Sequence, residues 1–166
     1  MRECRALVLD LRLNGGGFDR AGLAIAARFA DRRRLAFSKQ ARGASLPQDI
    51  HVEAGAKPFL RPVVVLASPL CVSAGEICVL GLRVLPKVEV MGQPTAGMLS
   101  DNLNKPLPNG WELSLSNEIY TAADGQRFEG RGVAPGVPLA ALAAKDFAGS
   151  AQAALAAAVK HAGELA

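Results

Sequence analysis

The chain has 166 residues, of which 50% are apolar and 20% are charged, and its formal net charge is +4. This composition excludes intrinsic disorder, and the length suffices for one domain with its own core. The 17 glycines and 10 prolines follow no fixed period, which excludes collagen-like and low-complexity classes. No apolar run reaches the ~18 to 20 residues that a membrane-spanning helix needs. We therefore expect a single domain over residues 1–166, without a membrane span.

The basic pI of about 9.3 suggests nucleic-acid binding, but the charges are poorly placed for it. The tight cluster Arg32–Arg34 has Asp31 beside it and lacks the interleaved aromatic residues of a stacking platform. We expect no nucleic-acid partner and interpret the cluster as a solvated helix end, where cations are favoured. Cys4, Cys71 and Cys78 are odd in number and lack metal-ligand spacing, so neither a disulfide framework nor a metal site is predicted.

The first part of the chain alternates apolar strands with helices. In chain order the spacing predicts a strand at 6–11, a helix at 19–30, a strand at 62–67, a helix at 74–85 and a strand at 88–91. Asp19 is predicted to cap the first helix, and residues 41–61 are predicted to be a surface loop with a short strand at 50–53. Repeated strand–helix units of this kind predict an α/β fold with a mainly parallel sheet.

The pattern changes after Gly97 to short alternating segments. In chain order we predict strands at 111–116 and 119–121, a turn at Asp124–Gly125 leading into residues 126–128, and a helix over 150–164. Ser150 is predicted to cap that helix, whose apolar stripe includes Leu155 and Val159. We expect these strands to form a small antiparallel addition to the parallel sheet.

Ser73 has the most informative setting among the serines, between a buried strand and a helix that starts immediately after it. A hydroxyl there is surrounded by unpaired N–H groups and a positive dipole, which would stabilise an oxyanion. Alternatively, Ser73 is an ordinary helix cap with Glu76 completing a capping box. Gly15–Gly17 is likewise either a turn that needs positive φ or the source of a second oxyanion donor. This run lacks the spacing of a nucleotide-binding loop, and no cofactor is predicted.

Four segments, in order, resemble the tail-specific, or C-terminal processing, serine peptidases. Residues 9–17 resemble the family's "LDLRxNxGG" signature, and residues 72–76 resemble its nucleophile segment, "SASAAE" or "FSAGE". Residues 92–97 are similar to the "GExTxG" segment, and residues 128–135 to the "IEGxGVxPD" segment. One such match would be weak, but the ordered series covers most of the chain.

This resemblance implies a crotonase-like, Clp-protease-like spiral of strand–helix units that hydrolyses peptide bonds through an acyl-enzyme. It implies that Ser73 is the nucleophile and that the backbone N–H groups of Gly16 and Ala74 form the oxyanion hole. Glu129 matches the glutamate of the tricorn-like Ser–His variant, and this catalysis needs no metal or cofactor. The partner would be a peptide or protein substrate, and family analogy suggests a bacterial envelope or secreted setting.

The general base is not identified among these residues. In the Ser–Lys variant of the family the base is a lysine at the position that Met98 occupies here, and Lys105 lies outside the motif. In the Ser–His variant the histidine lies upstream of the first strand, and neither His51 nor His161 matches it. We expect an upstream segment that either belongs to a longer precursor or has been lost.

Two alternatives to a peptidase remain open at this point. One is a non-catalytic module for apolar ligands, because interphotoreceptor retinoid-binding proteins use a similar scaffold and a fold does not fix its chemistry. The other is a domain that contributes only to assembly.

Overall fold

The computed structural model describes residues 3–166, which fold into three β-sheets and three helices. The elements, in chain order, are β1 (Leu7–Asp10), α1 (Asp19–Ala27), β2 (Arg34–Ala41), β3 (Gln48–Val52), β4 (Val63–Ala67), α2 (Ala74–Arg83), β5 (Val88–Gly92), β6 (Asn102–Pro106), β7 (Glu112–Ser116), β8 (Glu118–Ala122), β9 (Val137–Pro138) and α3 (Phe147–Glu164). This is a mixed α/β fold with a parallel sheet, as the sequence predicts.

Strand β4 lies inside a four-stranded parallel sheet of order β1-β4-β5-β9. All five of its residues are buried, because helices cover both faces of the sheet. Val63 and Val65 belong to the core shared with α1 and α2, whereas Val64 and Leu66 pack with Ala158 of α3. The predicted burial of this strand on both sides is therefore confirmed.

The contact between α1 and α2 brings two loops of the site together. A Cβ added at Gly22 of α1 would lie 3.0 Å from the Ala74 carbonyl oxygen and 3.1 Å from the Cys78 side chain. Cys78 is buried in the core, as expected for a small apolar residue. Phe18, not Asp19, occupies the N-cap position of α1, so the prediction that Asp19 caps this helix is wrong. The helix itself begins at Asp19, as predicted, but ends at Ala27, three residues before the predicted end.

Helix α3 covers the second face of the sheet with small residues. The residues that it buries are Ala154, Ala158 and Ala162. Asp146 caps the helix by accepting the N–H of Gly149 at 2.9 Å, so the prediction that Ser150 is the cap is wrong. Val159, expected on the buried stripe, is 57% exposed. Alanines let the helix approach the sheet closely, and this signal is weaker in sequence than a leucine stripe.

The antiparallel part is larger than the predicted small addition. Strand β2 pairs with both β3 and β8, and β6 pairs with β7 in a separate hairpin. The interpretation of Arg32–Arg34 as a helix end is wrong, because α1 ends earlier and Arg34 begins β2. Residues 126–128 follow the predicted Asp124–Gly125 turn but form no strand. We call the exposed hairpin formed by residues 102–116 the arm.

Within residues 3–166 no helix is long and apolar enough to cross a bilayer. The same residues contain no group of three or more His, Cys, Asp and Glu side chains placed to hold a metal ion. Cys4, Cys71 and Cys78 are free thiols.

Candidate functional site

Ser73 lies at a sharp bend between β4 and α2. Its backbone has φ 53° and ψ −123°, and among residues 3–166 it is the one non-glycine residue with positive φ. Such a conformation costs about 1–3 kcal/mol and persists only where the surroundings impose it. The bend leaves Ser73 exposed, although the next residue, Ala74, is buried. A serine held in this way on a strand-to-helix turn has the geometry of a nucleophile elbow.

Gly16, in the loop after β1, lies directly against Ser73. A Cβ added at Gly16 would lie 2.9 Å from the Ser73 Cβ and 3.4 Å from its Oγ. The structure thus brings together the two loops that the sequence places after neighbouring parallel strands. The Gly16 N–H donates to the Asn14 side-chain oxygen at 3.0 Å. The N–H of Ala74, by contrast, makes no hydrogen bond in the described part of the chain.

Asn14 ties the glycine loop to the nucleophile loop. Its backbone carbonyl accepts the N–H of Val72 at 2.9 Å. A Cβ at Gly75 would lie 3.0 Å from both the Asn14 carbonyl oxygen and the Cys71 sulfur, so only glycine fits there without a shift. The small residue at position 75 is therefore explained by packing between the two loops.

The Glu76 carboxylate is fully buried and accepts four hydrogen bonds. Its Oε2 accepts the N–H groups of Ser73 at 3.1 Å and Met98 at 2.8 Å. Its Oε1 accepts the hydroxyl of Thr95 at 2.5 Å and the N–H of Gly97 at 2.7 Å. A buried carboxylate needs such partners because burial removes its hydration. Glu76 therefore attaches the Ser73 bend to the loop after β5.

Thr95 extends this network to a third loop. Its hydroxyl donates to Glu76 and accepts the N–H of Val133 at 2.7 Å. A second connection runs from the N–H of Gly130 to the Gly97 carbonyl at 2.7 Å. Three loops that are distant in sequence are thereby fixed around Ser73.

Glu129 lies at the edge of the same network and is exposed. Its Oε2 accepts the N–H groups of Leu99 at 2.8 Å and Ser100 at 3.0 Å. These residues directly follow Met98, whose N–H binds the carboxylate that also holds Ser73. No hydrogen bond joins Glu129 to Ser73 within residues 3–166. Glu129 binds the loop after β5 directly, and Ser73 is joined to the same loop through Glu76.

One protein family matches this chain over most of its length. The model of peptidase family S41 matches residues 1–139. The chain belongs to peptidase family S41. The resemblance to tail-specific serine peptidases is therefore confirmed at the level of the family.

Solved structures resemble this S41 domain over most of its length. A candidate peptidase from Parabacteroides merdae is 30% identical with a TM-score of 0.85, covering 96% of this chain and 52% of that chain. The photosystem II D1 C-terminal processing protease is 26% identical with a TM-score of 0.68, covering 84% and 36%. The tricorn protease, 20% identical with a TM-score of 0.63 and coverage of 94% and 15%, shows the fold alone.

This chain spans about half of the Parabacteroides merdae protein and a smaller share of the other two. A comparison with curated proteins gave no match.

The histidines of this S41 domain are engaged away from Ser73. His51 on β3 lies 3.0 Å from Arg33, and His161 on α3 lies 2.7 Å from Glu89. Within the described residues, no histidine or lysine side chain hydrogen bonds to Ser73.

Arg12, from the segment that resembles "LDLR", is a buried cation of this S41 domain. It forms a salt bridge with Asp10 at 2.6 Å and donates to the Ala151 carbonyl at 2.7 Å. Hydrogen bonding to this guanidinium lowers the pKa of the Asp10 carboxyl. The Ser68 hydroxyl donates to the Arg12 carbonyl at 2.6 Å. These bonds fix the start of the glycine loop against β4 and α3.

Asp19, at the start of α1, faces a surplus of acidic groups. Lys39 pairs with Asp101 at 2.8 Å and with Glu118 at 3.1 Å. Burial raises the pKa of the Asp19 carboxyl, the charge of Asp101 adds to this, and Lys39 partly offsets it. The cluster brings the start of α1 within electrostatic reach of the root of the arm.

Sequence reasoning missed the roles of Glu76, Thr95 and Asn14 in this S41 domain. Glu76 was recognised only as half of a capping box, and its bond from the Ser73 N–H is present. The sequence did indicate that Glu76 has further hydrogen-bond partners, because it is the one charged residue in an otherwise apolar segment and buried charges need partners. Those partners could not be named without knowing which loops meet.

Proposed function

We propose that this S41 domain hydrolyses peptide bonds by nucleophilic catalysis at Ser73. The observation that carries the proposal is the backbone of Ser73, whose positive φ presents an exposed hydroxyl beside Gly16. An ordinary N-cap serine lies in the β region and needs no such strain. The conformation therefore favours a nucleophile over a purely structural cap.

In the proposed reaction, the Ser73 Oγ attacks the carbonyl carbon of the scissile peptide bond and gives its proton to the base. Breaking the bond to the leaving amine, which departs with a proton, leaves an acyl-enzyme. Water then hydrolyses the ester and restores the hydroxyl. This route replaces one difficult step with two easier ones.

The proposed oxyanion hole consists of the N–H groups of Ala74 and Gly16. The Ala74 N–H has no partner in the described residues and lies at the positive end of the α2 dipole. The Gly16 N–H donates to Asn14, so an oxyanion would compete with that side chain for this donor. Preorganised donors of this kind are typically worth about 10²–10³ in kcat.

Glu129 is proposed to support the base through its second carboxylate oxygen. Oε2 already accepts two backbone N–H groups, whereas no hydrogen bond within residues 3–166 reaches Oε1. A free carboxylate oxygen can orient a histidine and stabilise its charged form. The thioether of Met98 at the lysine position cannot take up a proton, which also favours the Ser–His variant.

A module that only binds apolar ligands on this scaffold is not favoured. Such a module gains nothing from a strained, exposed serine or from a free N–H behind it. The elbow geometry is costly, and catalysis is the function that uses it.

Covalent labelling of the full protein tests the proposal. A fluorophosphonate probe should label Ser73, and Ser73→Ala should abolish labelling and lower the hydrolysis of a fluorogenic peptide by at least about 10³-fold. Ser45→Ala, in an exposed loop, is the matched control and should leave both measurements unchanged. If folded protein gives no adduct, and wild type and Ser73→Ala bind a retinoid or fatty-acid probe equally, the domain is a binding module.

A further inference from the structure

The arm separates apolar and polar residues by face, with Lys105 as the one charged residue on the apolar face. Neighbouring residues of a strand point to opposite sides, and the register places Leu103 opposite Leu115 and Lys105 opposite Leu113. A hydrogen bond from the Leu107 N–H to the Trp111 carbonyl extends the ladder beyond the two strands. One face therefore carries Leu103, Lys105, Leu107, Trp111, Leu113 and Leu115. The opposite face carries asparagine, proline, glutamate and serine.

The apolar face is uncovered. Trp111 is 73% exposed, and the four leucines are 37% to 44% exposed. Their exposed area is on the order of 400–500 Å², in the range of patches that are often functional on monomers. A stable dimer usually needs about 800 Å² from each partner. The area therefore suits one extended polypeptide segment better than a second copy of the chain.

The root of the arm is fixed beside the candidate nucleophile. The Ser100 hydroxyl accepts the N–H of Asn117 at 3.1 Å and that of the following residue at 3.0 Å, which clamps both ends of the hairpin. Two residues before Ser100, the Met98 N–H shares one carboxylate oxygen with the N–H of Ser73. The apolar face thus begins just after the loop that Glu76 joins to Ser73.

We propose that the apolar face of the arm binds an extended, apolar segment of a polypeptide substrate whose scissile bond lies at Ser73. The inference rests on the proposed peptidase function and adds a substrate class, unstructured chains with closely spaced large apolar residues. A two-stranded hairpin is marginally stable alone, so covering its apolar face also stabilises the arm. Five-residue strands such as β6 and β7 span ~17 Å, so the arm would contact about five residues of an extended substrate. A peptide too short to extend from Ser73 along the arm would not make these contacts.

Trp111 is the one tryptophan of the chain and reports occupancy of the arm directly. The Ser73→Ala variant, which cannot form the acyl-enzyme, would be titrated with a 15-residue peptide that has no tryptophan and has leucine at alternate positions. We expect the emission of Trp111 to shift to shorter wavelength as the peptide binds. The double variant Leu113→Ser, Leu115→Ser should weaken binding about tenfold or more, because it removes two leucines that the bound peptide would bury. Asn104→Ala with Ser114→Ala, on the polar face of the same strands, should bind as the parent does.

Hydrolysis by the full protein gives a second measurement. The Leu113→Ser, Leu115→Ser variant should raise KM for the 15-residue peptide about tenfold relative to its KM for a four-residue peptide, which is too short to reach the arm. Asn104→Ala with Ser114→Ala should leave hydrolysis of both peptides unchanged. An unshifted Trp111 emission, or equal binding by the apolar-face and polar-face variants, would overturn the inference. It would also be overturned if sedimentation showed that the apolar-face change converts a dimer to a monomer, since a second copy would then cover the arm.

Failure of the arm and failure of catalysis are separable. Labelling of Ser73 with no response from Trp111 would leave the peptidase function intact and remove the arm from it. A Trp111 response without labelling or hydrolysis would retain peptide binding and remove catalysis.

Discussion

The loops around Ser73 bury polar groups, whereas the arm exposes apolar side chains. At the loop, the carboxylate of Glu76 and the hydroxyl of Thr95 are withdrawn from water and bonded only to the protein. On the arm, large apolar side chains such as Trp111 remain in water. A buried network fixes one geometry because each unmade bond is costly, whereas an uncovered apolar face gains free energy from any complementary segment. The molecule thus places a buried polar network beside an uncovered apolar surface.

Removing the carboxylate at the centre of the buried network should have the largest effect. Glu76→Ala leaves four donors without an acceptor, those of Thr95 and Gly97 in fully buried bonds, and should lower the free energy of unfolding by about 3–5 kcal/mol. Glu76→Gln keeps one acceptor oxygen and should cost less. Urea titration measures both changes, with Glu112→Ala on the exposed arm as the control. Equal stability of Glu76→Ala and the control would show that the network does not hold the fold.

Crowding the bend should affect activity more than stability. Gly16→Ala places a methyl 2.9 Å from the Ser73 Cβ at a backbone φ of 102°, so we expect Ser73 to move and its labelling by a fluorophosphonate to slow about 100-fold. Gly15→Ala is the matched control, because an added Cβ there meets nothing within 4 Å. Equal labelling rates for Gly16→Ala and Gly15→Ala would mean that the loop after β1 shifts to accommodate the methyl group without moving Ser73.

The acidic cluster between the two regions predicts a smaller, pH-dependent effect. Because the folded-state pKa of Asp19 is raised, the folded state holds this proton more tightly, and the contribution of Asp19 to stability falls as pH rises through that pKa. Asp19→Asn should stabilise the protein by a fraction of ~1 kcal/mol at pH 7, since solvent screens this half-buried group. The gain should vanish near pH 4. Denaturant titrations of both proteins measure it, and a pH-independent difference would contradict the assignment.

The smallest change is expected on the arm itself. Leu113→Ser alters a side chain that is already 43% exposed and should change the free energy of unfolding by no more than about 0.5 kcal/mol. The comparison is Val65→Ala in β4, a fully buried position, where the loss should reach about 2 kcal/mol. A large loss from Leu113→Ser would show that the arm is already covered by its own chain.

The sequence predicts the parallel core because apolar runs such as residues 62–67 encode burial on both faces. It also predicts that Gly16 lies near Ser73, because loops after neighbouring parallel strands meet at one edge. The wrong expectations lie elsewhere. Strand β2 mixes charged and apolar residues, so its sequence carries no clear strand pattern. In α3 the predicted stripe is half right, because Leu155 packs against the buried alanines whereas Val159 is exposed.

The network around Glu76 could not be predicted for a different reason. Its partners at Thr95 and Gly97 come from a later loop, and their contact with Ser73 exists only once the sheet has formed. The arm shows a similar limit, because the period-two pattern at 111–116 indicates a strand but not its exposure. Local patterns specify elements, whereas the meeting of loops is a property of the whole fold.

The hydrogen bond from the Val133 N–H to Thr95 has a consequence for biosynthesis. Translation produces Ser73 sixty residues before it produces Val133, the last member of the chain of bonds that holds the serine bend. A nascent chain that ends before residue 133 therefore carries Ser73 and Glu76 without the bond that joins Thr95 to the third loop. The order of synthesis delays the complete set of bonds around the Ser73 bend until residue 133 has been made.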